Sequence, residues 1–223
     1  MPDATPAAAP VVASPRKAWR RVRRALALVG LGAFAWAAWL GTWTQPERTD
    51  ATGLAKGQVE SRLIVRDGAK WVEISATVDA PIAQVWKVVH DHERMTEFMP
   101  RMAKLKVLED SGTHRRVRID IKFLVERFTQ IDVDVEVRPE VRIERWKRFD
   151  GSLPVNQGEW ILTPLGADRT FARYEVHVES GLPVPRFLER AILREALKVV
   201  LTRVDERIDR LRREDPRYLD DAK

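Results

Sequence analysis

PRFLERAILREALKVVLTRVDERIDRLRRE, residues 185–214, is the stretch on which the fold turns. Leu188, Ile192, Ala196, Val199, Val200, Val204, Ile208 and Leu211 recur at steps of three and four, which places them on one stripe of a long helix. Pro185 opens the segment and Pro216 lies just past its end, the positions where proline is compatible with a helix start and stop. A helix with such a stripe must bury it against another layer. What precedes it in the chain is a run of strands.

Working backwards, TFARYEVHV (170–178), GEWILTPL (158–165) and EVRIERWKRF (140–149) read as strands separated by turns bearing Gly, Pro and Asp. QIDVDVEV (130–137) sets Ile131, Val133, Val135 and Val137 against Asp132, Asp134 and Glu136. RVRIDIKF (116–123) sets Val117, Ile119, Ile121 and Phe123 against Arg116, Arg118, Asp120 and Lys122. Basic residues on one strand and acidic ones on the next suit cross-strand pairing on a solvated face. AKLKVLED (103–110) and WVEISATV (71–78) are further strands, the latter with Val72, Ile74, Ala76 and Val78 on one face. Between those two, DAPIAQVWKVVHDHER (79–94) has Ile82, Val85, Trp86 and Val89 at helical spacing, with Asp79 as its expected N-cap and Pro81 in the first turn. A short second helix follows and ends at Pro100. The expected fold is α+β: a curved antiparallel sheet of about six to seven strands gripping the C-terminal helix.

The rest of the chain is organised differently. Residues 1–24 form a tail that begins Ala- and Pro-rich and ends in RKAWRRVRR, whose six basic residues account for the whole net charge of +6. The basic character thus belongs to a flank and not to a folded face, which speaks against a nucleic-acid partner. ALALVGLGAFAWAAWLGTW, residues 25–43, carries no charge and would span roughly 28 Å as a helix, about the thickness of a bilayer core. Trp36, Trp39 and Trp43 crowd one end and the basic cluster flanks the other, so the expectation is one N-terminal transmembrane helix with the N-terminus cytoplasmic and the domain extracytoplasmic. A cleaved signal peptide, leaving a secreted domain, is the competing reading of the same pattern. Residues 44–57 read as a linker, 58–214 as the folded domain and 215–223 as a C-terminal tail. The chain has no cysteine, which removes disulfides, thiolate metal sites and thiol nucleophiles together.

The order of elements, with three local stretches, resembles the START-like or SRPBCC superfamily, in particular its polyketide cyclase/dehydrase and coenzyme Q-binding branch. VDAPIAQVWKVVHDHERMTEFMP (78–100) is similar to that family's opening, GEWILTPLGADRTFARYEV (158–176) to its Trp strand and following aromatic strand, and GLPVPRFLERAILREALKVVLTRVDERI (181–208) to its Leu-Pro lead-in and closing helix. The resemblance covers about residues 58–212 and implies a helix-grip fold. It also implies an apolar cavity between sheet and helix that takes lipids, quinones or polyketides.

On a single helix His90 and His92 point roughly 200° apart and share no ion, so the expectation is no metal and no cofactor. His92 is expected to pack the joint between the two first helices, Asp91 to cap the second, and His90 to be exposed. His114 lies in a charged turn and His177 alternates with Val176 and Val178 towards solvent, so no catalytic residue is named. A polyketide cyclase or aromatase-like enzyme is the alternative that the resemblance implies, and an anchored interaction domain with a filled core is another. The expected ligand site is Trp86, Phe123, Val133, Val135, Ile192 and Ala196 as apolar lining, Trp146, Trp160, Tyr174 and Phe187 as bulk, and Phe98, Met99 and Pro100 as the lip of the mouth. Strict alternation from Ile143 turns Arg145 inward as a headgroup ligand, whereas a bulge turns Trp146 inward. The expected partners are a hydrophobic small molecule or lipid, and a membrane.

Overall fold

The computed structural model describes Leu54, residues 57–122 and residues 126–221. The expected membrane span at 25–43 and the site residue Phe123 lie outside them. Among the described residues no helix is long and apolar enough to cross a membrane.

Eight antiparallel strands form one sheet: β1 (Val59–Arg66), β2 (Ala69–Val78), β3 (Met102–Asp110), β4 (His114–Lys122), β5 (Glu126–Val137), β6 (Arg142–Gly151), β7 (Val155–Pro164) and β8 (Thr170–Glu179). Their order is β1-β2-β8-β7-β6-β5-β4-β3, so the chain crosses from β2 to the far edge β3 through α1 (Ile82–His90) and a 3-10 helix (His92–Glu97), then returns by hairpins. The long helix α2 (Arg186–Glu214) follows, and a last short helix, α3 (Pro216–Asp220), closes the chain.

Two findings go beyond the sequence expectations. β1 is an added edge strand: it pairs with β2 from Val59↔Ala76 to Arg66↔Ala69, yet exposes Leu63 and Val65, so its apolar residues give no core signature. The stretch at 215–223, expected as a tail, folds in part as α3, burying Leu219 and placing Tyr218 so that its hydroxyl donates to Asp91 Oδ2 at 2.6 Å. Two details are also corrected. The N-cap of α1 is Pro81 with no side-chain cap, in place of Asp79. On α2 the packed stripe includes Leu193, Leu197 and Leu201, while Val199 is exposed.

The core lies in two clusters. In the larger, Val200, Leu201, Val204, Ile208 and Leu211 of α2 pack with Val72, Ile74, Ala76 and Val78 of β2 and with Val85, Trp86, Val88 and Val89 of α1. The smaller is Val117, Ile119, Ile131 and Val133 on β4 and β5. Met102, Leu105, Val135 and Trp146 touch both clusters and bridge them. On the opposite face of β4 and β5 one of the expected basic–acidic pairs forms, Arg116 bonding Asp132 at 3.0 Å, while Arg118 bonds Asp120 of its own strand and His114, at the start of β4, bonds Asp134 at 2.9 Å.

Candidate functional site

Between the two core clusters the sheet and the N-terminal half of α2 enclose a cavity of about 260 Å³. Its walls are mostly apolar. Ile119, Ile121 and Ile131 come from β4 and β5, Trp146 and Trp160 from β6 and β7, Val176 and Val178 from β8, and Ile192, Leu193, Ala196, Leu197 and Val200 from α2. Met95, Met99, Pro100 and Met102 complete it from the 3-10 helix and the entry to β3.

Strand phase decides which residues reach this space. On β6 the inward positions are Glu144 and Trp146, and Arg145 turns outward to bond Glu136 Oε2 at 2.9 Å and Glu159 Oε2 at 3.0 Å. No bulge separates Ile143 from Trp146, whose partners Ile161 and Gly158 run in unbroken register. The phase is simply opposite to the one Ile143 suggests, so Ile143 shares the outer face with Arg145. Trp146 lies flat across β7 because Gly158 stands opposite it: a Cβ there would come within 2.3 Å of the indole and 2.4 Å of the Glu175 carbonyl. The ring stacks on Tyr174 at 5.4 Å between centroids and donates its N–H to Asn156 Oδ1 at 3.2 Å. Tyr174 also meets Trp160 at 4.4 Å.

Of the residues expected at the site, Met99, Pro100, Trp146, Trp160, Tyr174, Ile192 and Ala196 line this cavity together. Phe98 and Val133 are buried in the flanking core clusters, Val135 packs between those clusters, and Arg145 is on the outer face. Phe187 is exposed to solvent at the start of α2. Trp86 faces α1's other neighbours: it stacks on His90 at 4.8 Å with the rings 13° apart.

The histidines behave differently from the expectation. Helix α1 stops at Asp91, so His90 ends one helix and His92 begins the next, and the 200° argument for a single helix does not apply. Asp91 caps the second helix, its Oδ1 accepting from Arg94 N at 3.3 Å. Both rings converge on the buried carboxylate of Glu144: His90 Nδ1 at 2.5 Å from Oε2 and His92 Nε2 at 3.0 Å from Oε1. His90 is therefore half-buried and bonded in place of exposed. Burial alone would push the Glu144 carboxyl up, but the hydrogen bonds and attraction of His90 and His92 outweigh it and hold it at about 2. Burial, reinforced by the Glu144 carboxylate, pushes the Tyr174 hydroxyl up, so that it stays a neutral donor. His92 and Glu144 line the cavity, while His92 and His90 also line a wider charged surface cleft of about 750 Å³. This His90–Glu144–His92 cluster, a latch between the 3-10 helix and β6, thus forms part of the wall between the two. No sequence signal pointed to Glu144, which lies 52 residues from His92.

Comparison with known proteins agrees with this architecture. No curated protein matches by sequence. Among solved structures, a STAR-related lipid transfer protein from Xanthomonas axonopodis superposes with a TM-score of 0.60 at 18% identity, over 70% of this chain and 97% of that one. The Zhui aromatase/cyclase from Streptomyces sp. R1128 gives 0.57 at 21% identity, over 65% and 96%. Human STARD10 gives 0.62 at 10% identity, over 73% and 76%. These likenesses establish a helix-grip fold. The family model described as polyketide cyclase / dehydrase and lipid transport matches residues 78–205, more than half of the sequence, and the chain belongs to that family.

Proposed function

We propose that this domain binds a hydrophobic ligand in the cavity between the sheet and α2, and that residues 25–43 hold it at a membrane from which the ligand is taken. The observation that carries the reading is the cavity itself: a mostly apolar lining with a few inward polar groups, at about 260 Å³ just below the ~300–1,000 Å³ usual for ligand sites. That size suits a single acyl chain or a compact ring system better than a whole two-chain lipid. The name of the Xanthomonas neighbour, a lipid transfer protein, supports the same class of ligand. A charge-free span followed by a linker would keep the cavity near the bilayer and raise its effective concentration there.

An acid–base enzyme, the role suggested by the aromatase/cyclase neighbour, draws less support from the site. Both oxygens of Glu144 are occupied by imidazoles, and a carboxyl held at about 2 neither gives nor takes a proton readily near neutrality. The constellation is better suited to fixing the joint between α1 and the 3-10 helix.

Native mass spectrometry of the full chain, offered a quinone, a fatty acid and a phospholipid in turn, tests the proposal. One added ligand mass per chain is expected for the single-chain or ring compounds; an apo mass under all three conditions refutes it. A reporter fused after Lys223 should be active outside the cytoplasm, and activity confined to the cytoplasm would contradict the orientation.

A further inference from the structure

The arginines of the sheet's outer face are paired. Arg66 bonds Glu159 and Glu175, Arg116 bonds Asp132 and Glu109, and Arg145 bonds Glu136 and Glu159. Arg127 is different. It lies on the inward phase of β5, in step with Thr129, Ile131 and Val133, and its side chain lines the cavity. Its Nε is buried with no hydrogen-bond partner, and its guanidinium forms no ion pair among the described residues.

Register locates Arg127 at one end of the cavity. Arg127 pairs with Ile121 where β4 ends and β5 begins, Thr129 pairs with Gly151 beside the β6–β7 turn, and Val155 pairs with Glu179 at the exit of β8. The end of β4, the start of β5, the β6–β7 turn, the exit of β8 and the start of α2 therefore share one end of the sheet. Lys122 N donates to the Arg101 carbonyl at 2.9 Å, which brings Pro100 and Arg101 to the same end. Glu189, in the first turn of α2, lines it too, with its Oε1 accepting from Ser180 N at 2.5 Å. Tyr174 and Glu144 lie well away from it along their strands. Tyr174 is three strands from Arg127, about 14 Å across the sheet at the usual spacing.

We infer that Arg127 is the headgroup ligand of this cavity, and that the bound molecule is a single-chain amphiphile whose anionic head, a carboxylate or a phosphate monoester, sits at the β4–β5 end with its chain running towards Tyr174. The inference rests on the cavity reading proposed above. A neutral ligand closing over Arg127 would strip water from a guanidinium that has no ion-pair partner among the described residues, at a high desolvation cost. An anion replaces that water with paired, charge-assisted hydrogen bonds from the guanidinium fork.

The test uses the full chain and four probes below their micellar concentrations: decanoate, decyl phosphate, decanol and inorganic phosphate. Decanoate and decyl phosphate should each bind about ten- to a hundred-fold more tightly than decanol, as charge-assisted bonds allow. Inorganic phosphate alone should not bind measurably. Arg127→Gln should erase the advantage of the charged probes, with decanol bound at least as tightly as by wild type, and Arg127→Lys should retain part of that advantage. Decanol binding as tightly as decanoate, or an Arg127→Gln variant indistinguishable from wild type, overturns the headgroup assignment while leaving the cavity reading intact. Tight binding of inorganic phosphate that Arg127→Gln abolishes overturns the amphiphile in favour of a free-anion site. Failure of all three decyl probes counts instead against the cavity reading itself.

Discussion

The two halves of α2 are the same helix put to different uses. From Val200 to Leu211 it is pressed into the core, with Val200, Leu201, Val204, Ile208 and Leu211 each almost fully buried against β2 and α1. From Phe187 to Val199 it roofs the cavity, and its large residues are left partly uncovered: Phe187 is 42% exposed, Ile192 41% and Val199 42%. Local stability follows packing density, so one half should behave as a fixed clamp and the other as a roof able to admit a ligand. The lesson is that an apolar helix face does not by itself mean core. Here Ile192 is partly uncovered and lines the cavity, whereas Phe187 and Val199 are exposed without lining it.

Truncation in the clamp should cost most. Ile208→Ala leaves a void among well-packed neighbours, with an expected loss of about 2–5 kcal/mol in urea denaturation. A loss below 1 kcal/mol would mean that the C-terminal half is as loose as the roof.

Next is the latch that ties the 3-10 helix to β6. Glu144→Gln removes the charge that both imidazoles bond, and an expected loss of roughly 3 kcal/mol at neutral pH follows from breaking a buried charged cluster. The pH dependence has a definite sign. The folded carboxyl is held at about 2, below its ordinary 4.5, so its contribution is complete above 4.5 and fades as the pH falls towards 2. Acid titration of stability should therefore be steeper for wild type than for Glu144→Gln across that window; identical acid limbs would show that the latch adds nothing.

A smaller effect is expected at Gly158. Gly158→Val drives the Trp146 indole off β7, with about 1–3 kcal/mol of overpacking and a reshaped cavity wall. Unchanged Trp fluorescence and ligand uptake would contradict this placement of Trp146. Smallest of all should be Ile192→Ala in the roof, under about 1 kcal/mol in stability, its effect falling on ligand affinity.

Much of this architecture is legible from periodicity. The strands β2 to β8 and the 185–214 helix carry patterns that a half-buried sheet and an amphipathic helix demand, and the structure places each near its expected bounds. β1 was hidden because Leu63 and Val65, although in phase with the core residue Val72 opposite Leu63, stay exposed on the edge, and Ile64 interrupts the alternation. On β6 the inward residues are Glu144 and Trp146 and an outward one is Ile143, so hydrophobicity points to the wrong face. The reason is tertiary: Glu144 is inward to meet His90 and His92, partners from another element of the chain. The same holds for the site. Aromatic residues near strand centres could be nominated singly, but which of them share a cavity depends on curvature and on the path of α2, neither of which is local.

The central claim, that the space under the N-terminal half of α2 holds the ligand, is tested most directly by filling it. Ala196→Trp places an indole in the cavity from the roof while leaving the clamp untouched. Uptake of a single-chain fatty acid, followed by native mass spectrometry of the full chain, should fall to background in a variant that keeps its cooperative unfolding. A folded Ala196→Trp variant that takes up the fatty acid as wild type does would contradict the account.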